Sequence, residues 1–207
     1  MEGKLRLVTD GQTEPITLEE ARLHLRLDTS GSPASHPDDS LVSILITVAR
    51  QSAEQYLGRS LIQQTYQLAL DRFPNADDAT QAISLQVWPV RSITSVQYSD
   101  EDDATQTLAT DKYIFDNYAK PAQITPVELW PGTKSKANAV TITFVAGHTD
   151  ADSPNDYPLP LPIKQAMLLQ IGHLYEHREA VNVGNIVTEM KFAYTHLLTP
   201  YRLSMGL

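Results

Sequence analysis

The residues best placed to do chemistry are His173, Glu176 and His177, in the run His173-Leu174-Tyr175-Glu176-His177. Histidines four apart project from one face of a helix and can share a zinc ion. With an acid between them, the run spells an inverted zinc-peptidase motif. The pattern fixes only three positions, however. A catalytic zinc also needs a third protein ligand, and no downstream Glu or His stands ready to supply it. The plainer reading puts both histidines on the polar stripe of a helix with Ala166 and Gln170. A metal-dependent hydrolase built on His173, Glu176 and His177 is therefore the alternative reading. The main expectation is no catalysis, no metal and no cofactor.

Other chemistries lack their residues. There is no cysteine, which excludes disulfides, thiolate zinc sites and cysteine nucleophiles. No G-x-S-x-G elbow, Walker loop or G-x-G-x-x-G occurs, and the nine glycines are scattered singly. The acidic run Asp100-Glu101-Asp102-Asp103 lacks the glycine and terminal glutamate of a calcium loop and reads as a hairpin tip. Asp150, Asp152 and Asp156 read as linker. Trp88 and Trp130 each precede a proline, and packing explains them.

Length and charge narrow the classes further. The 207 residues suit one domain or two small ones, and 42% hydrophobic residues suffice for a core. Sixteen basic residues face 25 acidic ones, for a net charge of −9. That charge is wrong for nonspecific DNA binding, which needs clustered Lys and Arg. The acids are concentrated before Pro160, where 22 acidic residues face 12 basic ones; the remainder holds four basic residues (Lys164, Arg178, Lys191, Arg202) and three acidic ones (Glu176, Glu179, Glu189). No stretch is apolar enough to span a bilayer, and Met1 to Asp10 has no signal-peptide core, so synthesis in the cytosol and no membrane partner are expected.

The elements that must position these residues are helical at both ends and stranded between. Thr17-Leu18-Glu19-Glu20 is a capping box and opens a short helix bearing Leu18, Ala21 and Leu25. Thr29 to Pro37 is a Ser/Gly/Pro loop. From Leu41 to Leu57 a helix carries two apolar faces. Leu41, Leu45, Val48, Ser52 and Tyr56 form one; Val42, Ile46, Ala49 and Ala53 form the other. So wide an apolar surface makes Val42, Ile46, Ala49 and Ala53 candidates for contact with a neighbouring subunit. Gly58 ends the helix in the left-handed conformation.

The period then drops to two at Tyr66-Leu68-Leu70, Ile83-Leu85-Val87 and Val140-Ile142-Phe144, the mark of half-buried antiparallel strands. Weaker strand signals run from Ile93 to Tyr98, Gln106 to Leu108 and Tyr113 to Phe115. Asp150 to Pro162 reads as linker. A long helix from about Ile163 to Arg178 and a short one from about Lys191 to Thr199 follow. The expected class is α+β: a helical bundle from the N- and C-terminal segments, with an antiparallel β-rich insertion. The expected boundaries are 1–60 helical, 61–150 β-rich and 151–207 helical with a tail, in one composite domain.

Near the C-terminus, Phe192, Tyr194, Leu197, Leu198, Tyr201, Arg202 and Leu203 crowd apolar and aromatic groups into twelve residues. One reading docks this segment on the chain's own core. The other makes it an anchor onto another protein, where aromatics and Arg are favoured.

The order of segments resembles a known family. The pieces are Pro15-Ile16-Thr17-Leu18-Glu19-Glu20-Ala21, then Tyr56-Leu57-Gly58-Arg59-Ser60-Leu61-Ile62, then Pro162-Ile163-Lys164-Gln165-Ala166. Leu174-Tyr175-Glu176-His177-Arg178-Glu179 and Pro200-Tyr201-Arg202 close the series. Together they resemble the tailed-phage head–tail connectors, also called adaptors or head-completion proteins, which occur too in prophages and gene transfer agents. The resemblance implies a structural protein of the virion head–tail junction, made in the host bacterial cytoplasm. It implies a homo-oligomeric ring, typically of twelve subunits, beneath the portal protein. The ring would extend the DNA channel, pass DNA without sequence-specific binding, and offer a platform to a stopper or tail-completion protein. It implies that the C-terminal segment reaches the portal, which makes Phe192, Tyr194, Leu197, Leu198, Tyr201 and Arg202 the portal-interface candidates. It also marks Leu174 to Glu179 as a structural signature. A stopper or tail-completion ring protein is the nearest alternative.

Overall fold

Alternation of apolar and polar residues builds the middle of the chain into sheets, and a 3.6-residue period builds helices before and after it. The computed structural model describes residues 3–11, 13–28, 35–75, 81–148, 157–177 and 188–203. The fold is mixed α+β, and the chain divides into two compact units.

The first unit comprises Met1–Gly11, Ile62–His148 and Leu203–Leu207. Its strands are β1 (Lys4–Thr9), β2 (Gln64–Leu70), β3 (Ile83–Leu85), β4 (Val90–Ser99), β5 (Thr105–Thr107), β6 (Tyr113–Asp116), β7 (Ala122–Pro126) and β8 (Val140–Ala146). They form a five-stranded sheet, β1-β2-β8-β4-β5, and a three-stranded sheet, β3-β7-β6. Every pairing is antiparallel. In the β2–β8 pair, Leu68 lies opposite Ile142 and Leu70 opposite Val140. Their side chains fall on one face and are buried. Val96, Val140, Ile142 and Phe144 from the larger sheet share a core with Leu85, Tyr113, Ala122 and Ile124 from the smaller one. Burying one such aliphatic or aromatic side chain stabilises the fold by about 1.5–3 kcal/mol.

Lys4–Thr9 departs from the sequence reading, which placed residues 1–60 in the helical part. It is an edge strand paired with β2, and all six residues are exposed. Asp100–Asp103 does form the β4–β5 turn. The Asp100 carboxylate accepts the backbone N–H groups of Asp102 (3.1 Å) and Ala104 (2.8 Å). Asp103 takes a left-handed φ of 67°. The acids thus serve turn chemistry. Trp130 stacks on Phe73 at 4.7 Å and donates its indole N–H to the Gln81 carbonyl at 2.8 Å, so packing accounts for it.

The second unit comprises Gln12–Leu61 and Thr149–Arg202. It carries α1 (Leu18–Leu25), α2 (Asp39–Leu57), α3 (Leu161–Glu176) and α4 (Thr188–Leu198), followed by a 3-10 turn over Thr199–Tyr201. The capping box forms as read: Thr17 Oγ1 accepts the Glu20 N–H at 3.1 Å, and Glu20 accepts the Thr17 N–H at 2.9 Å. Gly58 closes α2 at φ 64°. Ile16, Ala21, Val42, Leu45, Ile46, Ala49, Ala53, Leu57, Ile163, Met167, Ile171 and Leu198 make one buried cluster.

Candidate functional site

The helical unit is fastened by polar ties between helices. Arg50, 2% exposed, sits inside α2 and donates to Glu14 at 2.8 Å and to Glu54 at 2.9 Å. Glu54 also accepts the Leu61 backbone N–H at 2.8 Å, so one carboxylate satisfies both a buried cation and the chain leaving the helix. Arg22 on α1 pairs with Asp39 at the start of α2. The Arg22 guanidinium, helped by the His36 backbone N–H, holds the Asp39 carboxyl below its ordinary range. Burial pushes the Glu20 carboxyl up, but the Lys164 ammonium at 2.5 Å and the Thr17 backbone outweigh it, and the net direction is down. That pair ties α1 to α3.

The histidine motif resolves into another tie of this kind. Tyr175 donates its hydroxyl to the Asp38 carboxylate at 2.5 Å, which fastens the end of α3 to the start of α2. The His173 and His177 rings lie 4.7 Å apart, centre to centre, as i, i+4 spacing requires. Glu176 is exposed. Among the described residues no three His, Cys, Asp or Glu converge as metal ligands. The hydrolase reading has no support in this geometry: among the described residues no third ligand joins the two histidines, and the motif's tyrosine makes a structural contact.

The C-terminal candidates dock on their own unit. Leu198 is fully buried in the helical core. Tyr194, Leu197 and Tyr201 are half-buried against that core. The Tyr194 hydroxyl lies 3.4 Å from Ser52 Oγ, and its ring centre is 6.3 Å from that of Tyr56. Burial pushes the Tyr194 hydroxyl up from its ordinary value. Tyr56 in turn bonds Thr199 at 2.9 Å, and the exposed Arg202 lies over its ring at 5.5 Å. Leu198 is thus an internal anchor, unable to meet a partner without leaving its core. Phe192 lies outside the residues whose side chains are described.

The subunit-contact candidates need a similar correction. Val42, Ala49 and Ala53 are 0% exposed and Ile46 is 3%. All four pack against helices of the same chain, so a Glu or Lys at Ala49 or Ala53 would bury a charge and unfold the unit rather than merely block association. The exposed face of α2 is a different stripe: Ser40, Ser43, Ile44, Val48, Gln51 and Gln55. It carries no charge. The sequence reading missed it because the stripe is mostly polar and shares only Val48 with the two apolar faces read there. Arg50 was missed too, since its partner Glu14 is 36 residues away.

No helix is long and apolar enough to cross a membrane among the described residues. A scan of protein families matches residues 15–118, half of the chain, to the phage gp6-like head-tail connector proteins, and the chain belongs to that family. No curated protein matches it. Solved structures share its fold over nearly its whole length. A chain in the neck of an empty gene transfer agent particle, computed with C6 symmetry, superposes with a TM-score of 0.76 at 21% identity, covering 99% of this chain and 97% of that one. A chain of the native gene transfer agent virion gives 0.75 at 22%, covering 98% and 97%. A chain of the native neck computed with C12 symmetry gives 0.72 at 20%, covering 99% and 97%.

Proposed function

We propose that this chain is a structural connector at the head–tail junction of a tailed phage or gene transfer agent. In this reading twelve copies form a ring under the portal protein, extend the DNA channel and present a platform to a stopper or tail-completion protein. Family membership carries the reading. The shared fold with chains from gene transfer agent necks supports it. The net charge of −9 suits a channel through which DNA must slide, because an acidic wall repels phosphates. No chemical step is assigned to the protein. Arg202, with the half-buried Tyr194, Leu197 and Tyr201 behind it, is the end proposed to face the portal.

Mass by light scattering on a sizing column tests this, first for the chain alone and then with the cognate portal. A closed ring, or a monomer that joins the portal in a ring-like multiple, is the expected result. A chain that stays monomeric and ignores the portal overturns the reading; binding to the tail-side protein instead would make it a stopper.

A further inference from the structure

The two edges of the five-stranded sheet are chemically complementary. At one edge, β1 exposes its whole length. Leu5 and Leu7 sit opposite Leu68 and Tyr66, on the face that forms the core, yet they stay 38% and 44% exposed. Lys4 and Arg6 alternate with them. The other edge is β5: Thr105, Gln106 and Thr107, all exposed and uncharged. The acidic tip leads directly into it, with Glu101 and Asp102 exposed.

We infer that β1 of one copy adds to β5 of the next, and that Lys4 and Arg6 meet the acidic tip across that joint. This deepens the ring reading and rests on it. The sense of the strands decides the register. All four pairings in the sheet are antiparallel, so β1, β8 and β5 run the same way. Copies in a twelvefold ring differ by a rotation of only about 30°, so strand sense is kept from one copy to the next and the joint is parallel. Parallel pairing sets the tip, which precedes Thr105, beside the start of β1, where Lys4 and Arg6 stand. Antiparallel pairing would carry the tip to the far end, against Asp10. Charge and topology therefore select the same arrangement.

Basic residues on an edge deter strand addition at large. Against an acidic partner the same charges become a selector. Lys4 already reaches Asp71 at 3.2 Å, and Arg6 reaches Gln67 at 2.8 Å, but these are exposed contacts that exchange readily. The bulge between Leu7 and Thr9 limits regular pairing to Lys4–Leu7, a length that matches the short β5.

Charge reversal on the full chain tests the joint, read by sedimentation velocity over a concentration series. One variant carries Lys4→Glu with Arg6→Glu; the other carries Glu101→Lys with Asp102→Lys. Each alone should need roughly tenfold or more protein to form the ring. An equimolar mixture should assemble like the unaltered chain, because each reversed edge then meets a reversed tip. Circular dichroism checks the fold, and Lys4→Gln with Arg6→Gln replaces any reversal that unfolds. Normal assembly by either variant alone, or a mixture no better than its parts, overturns the inference and leaves the connector reading intact. Failure of the unaltered chain to form a ring, alone or on the portal, overturns the connector reading itself and this inference with it.

Discussion

The β unit and the helical unit solve the same problem with different means. In the β unit, backbone ladders fix the register, and side chains need only alternate correctly. Its ion pairs are peripheral: Lys4–Asp71 is 61% exposed on both sides, and Lys136–Asp103 is 42% and 50%. The helical unit has no ladder between its elements. Side chains must set how one helix lies on the next, and the ties that do so are more buried. The Arg50 side chain is 3% exposed beside Glu14 and Glu54, and the side chains of Arg22 and Asp39 are 14% and 21% exposed. The difference teaches that the two units should fail for different reasons.

The largest expected effect breaks the β unit through its backbone. Gly147 has φ 121°, and a Cβ there would lie 1.8 Å from the Ile62 carbonyl oxygen. Gly147→Ala should therefore cost more than about 4 kcal/mol, because a clash with backbone atoms adds to the ~1–3 kcal/mol of a strained φ. Thermal unfolding with near-UV circular dichroism checks it. A loss below about 1 kcal/mol would show that this close approach of the two chain segments is not required.

Arg50→Ala is the counterpart in the helical unit. It removes the buried guanidinium that Glu14 and Glu54 share, and should cost about 3–5 kcal/mol. Chemical denaturation measures it. Arg50→Lys should recover only part, since an ammonium cannot fork to two carboxylates as a guanidinium does. Full recovery by Lys would mean that charge alone, without the fork, holds α2. Thr17→Ala is smaller, about 1 kcal/mol, because it removes one side of a capping box at an exposed helix start. No change on that substitution would show that Lys164, rather than the cap, positions Glu20.

Much of this contrast was legible in the sequence. The strands β2 and β8 declared themselves by alternation, α2 by its 3.6 period, and the start of α1 by Thr17 and Glu20. Each of these signals is local. β1 alternates as well, but an edge strand exposed on both faces has no long apolar run to mark it. β7 is hidden between Pro121 and Pro126. Arg50 looks like any polar residue on a helix until Glu14 arrives from 36 residues away. The histidine spacing does bring the two rings together, but α3 ends at Glu176 with His177 as its cap, and Ala166, read with them as a polar stripe, is buried in the core. Among the described residues no third ligand joins the pair, and Tyr175, between the histidines, ties α3 to the start of α2 instead. Long-range partners of this sort leave no periodic trace.

The smallest predicted effect is acid sensitivity, and it separates the units by location more than by size. Both hold carboxyls below their ordinary range. In the β unit these are Asp71, Asp100 and Asp103, which bind turns. In the helical unit they are Asp39 and Glu20, which bind one helix to another. A carboxyl depressed in the folded state contributes its stability above the unfolded value, about 4. That contribution drains as pH falls below this value and is gone once pH passes the folded value. Protonation in acid should therefore break the ties at α1 and the start of α2, while the β2–β8 ladder, which contains no ionised group, keeps its protection. Amide hydrogen exchange resolved by residue from neutral pH downward would show α1 opening first. Asp39→Asn should flatten that dependence without touching the ladder, and simultaneous loss of both units would mean that the ion pairs are ornaments on a fold held wholly by its apolar cores.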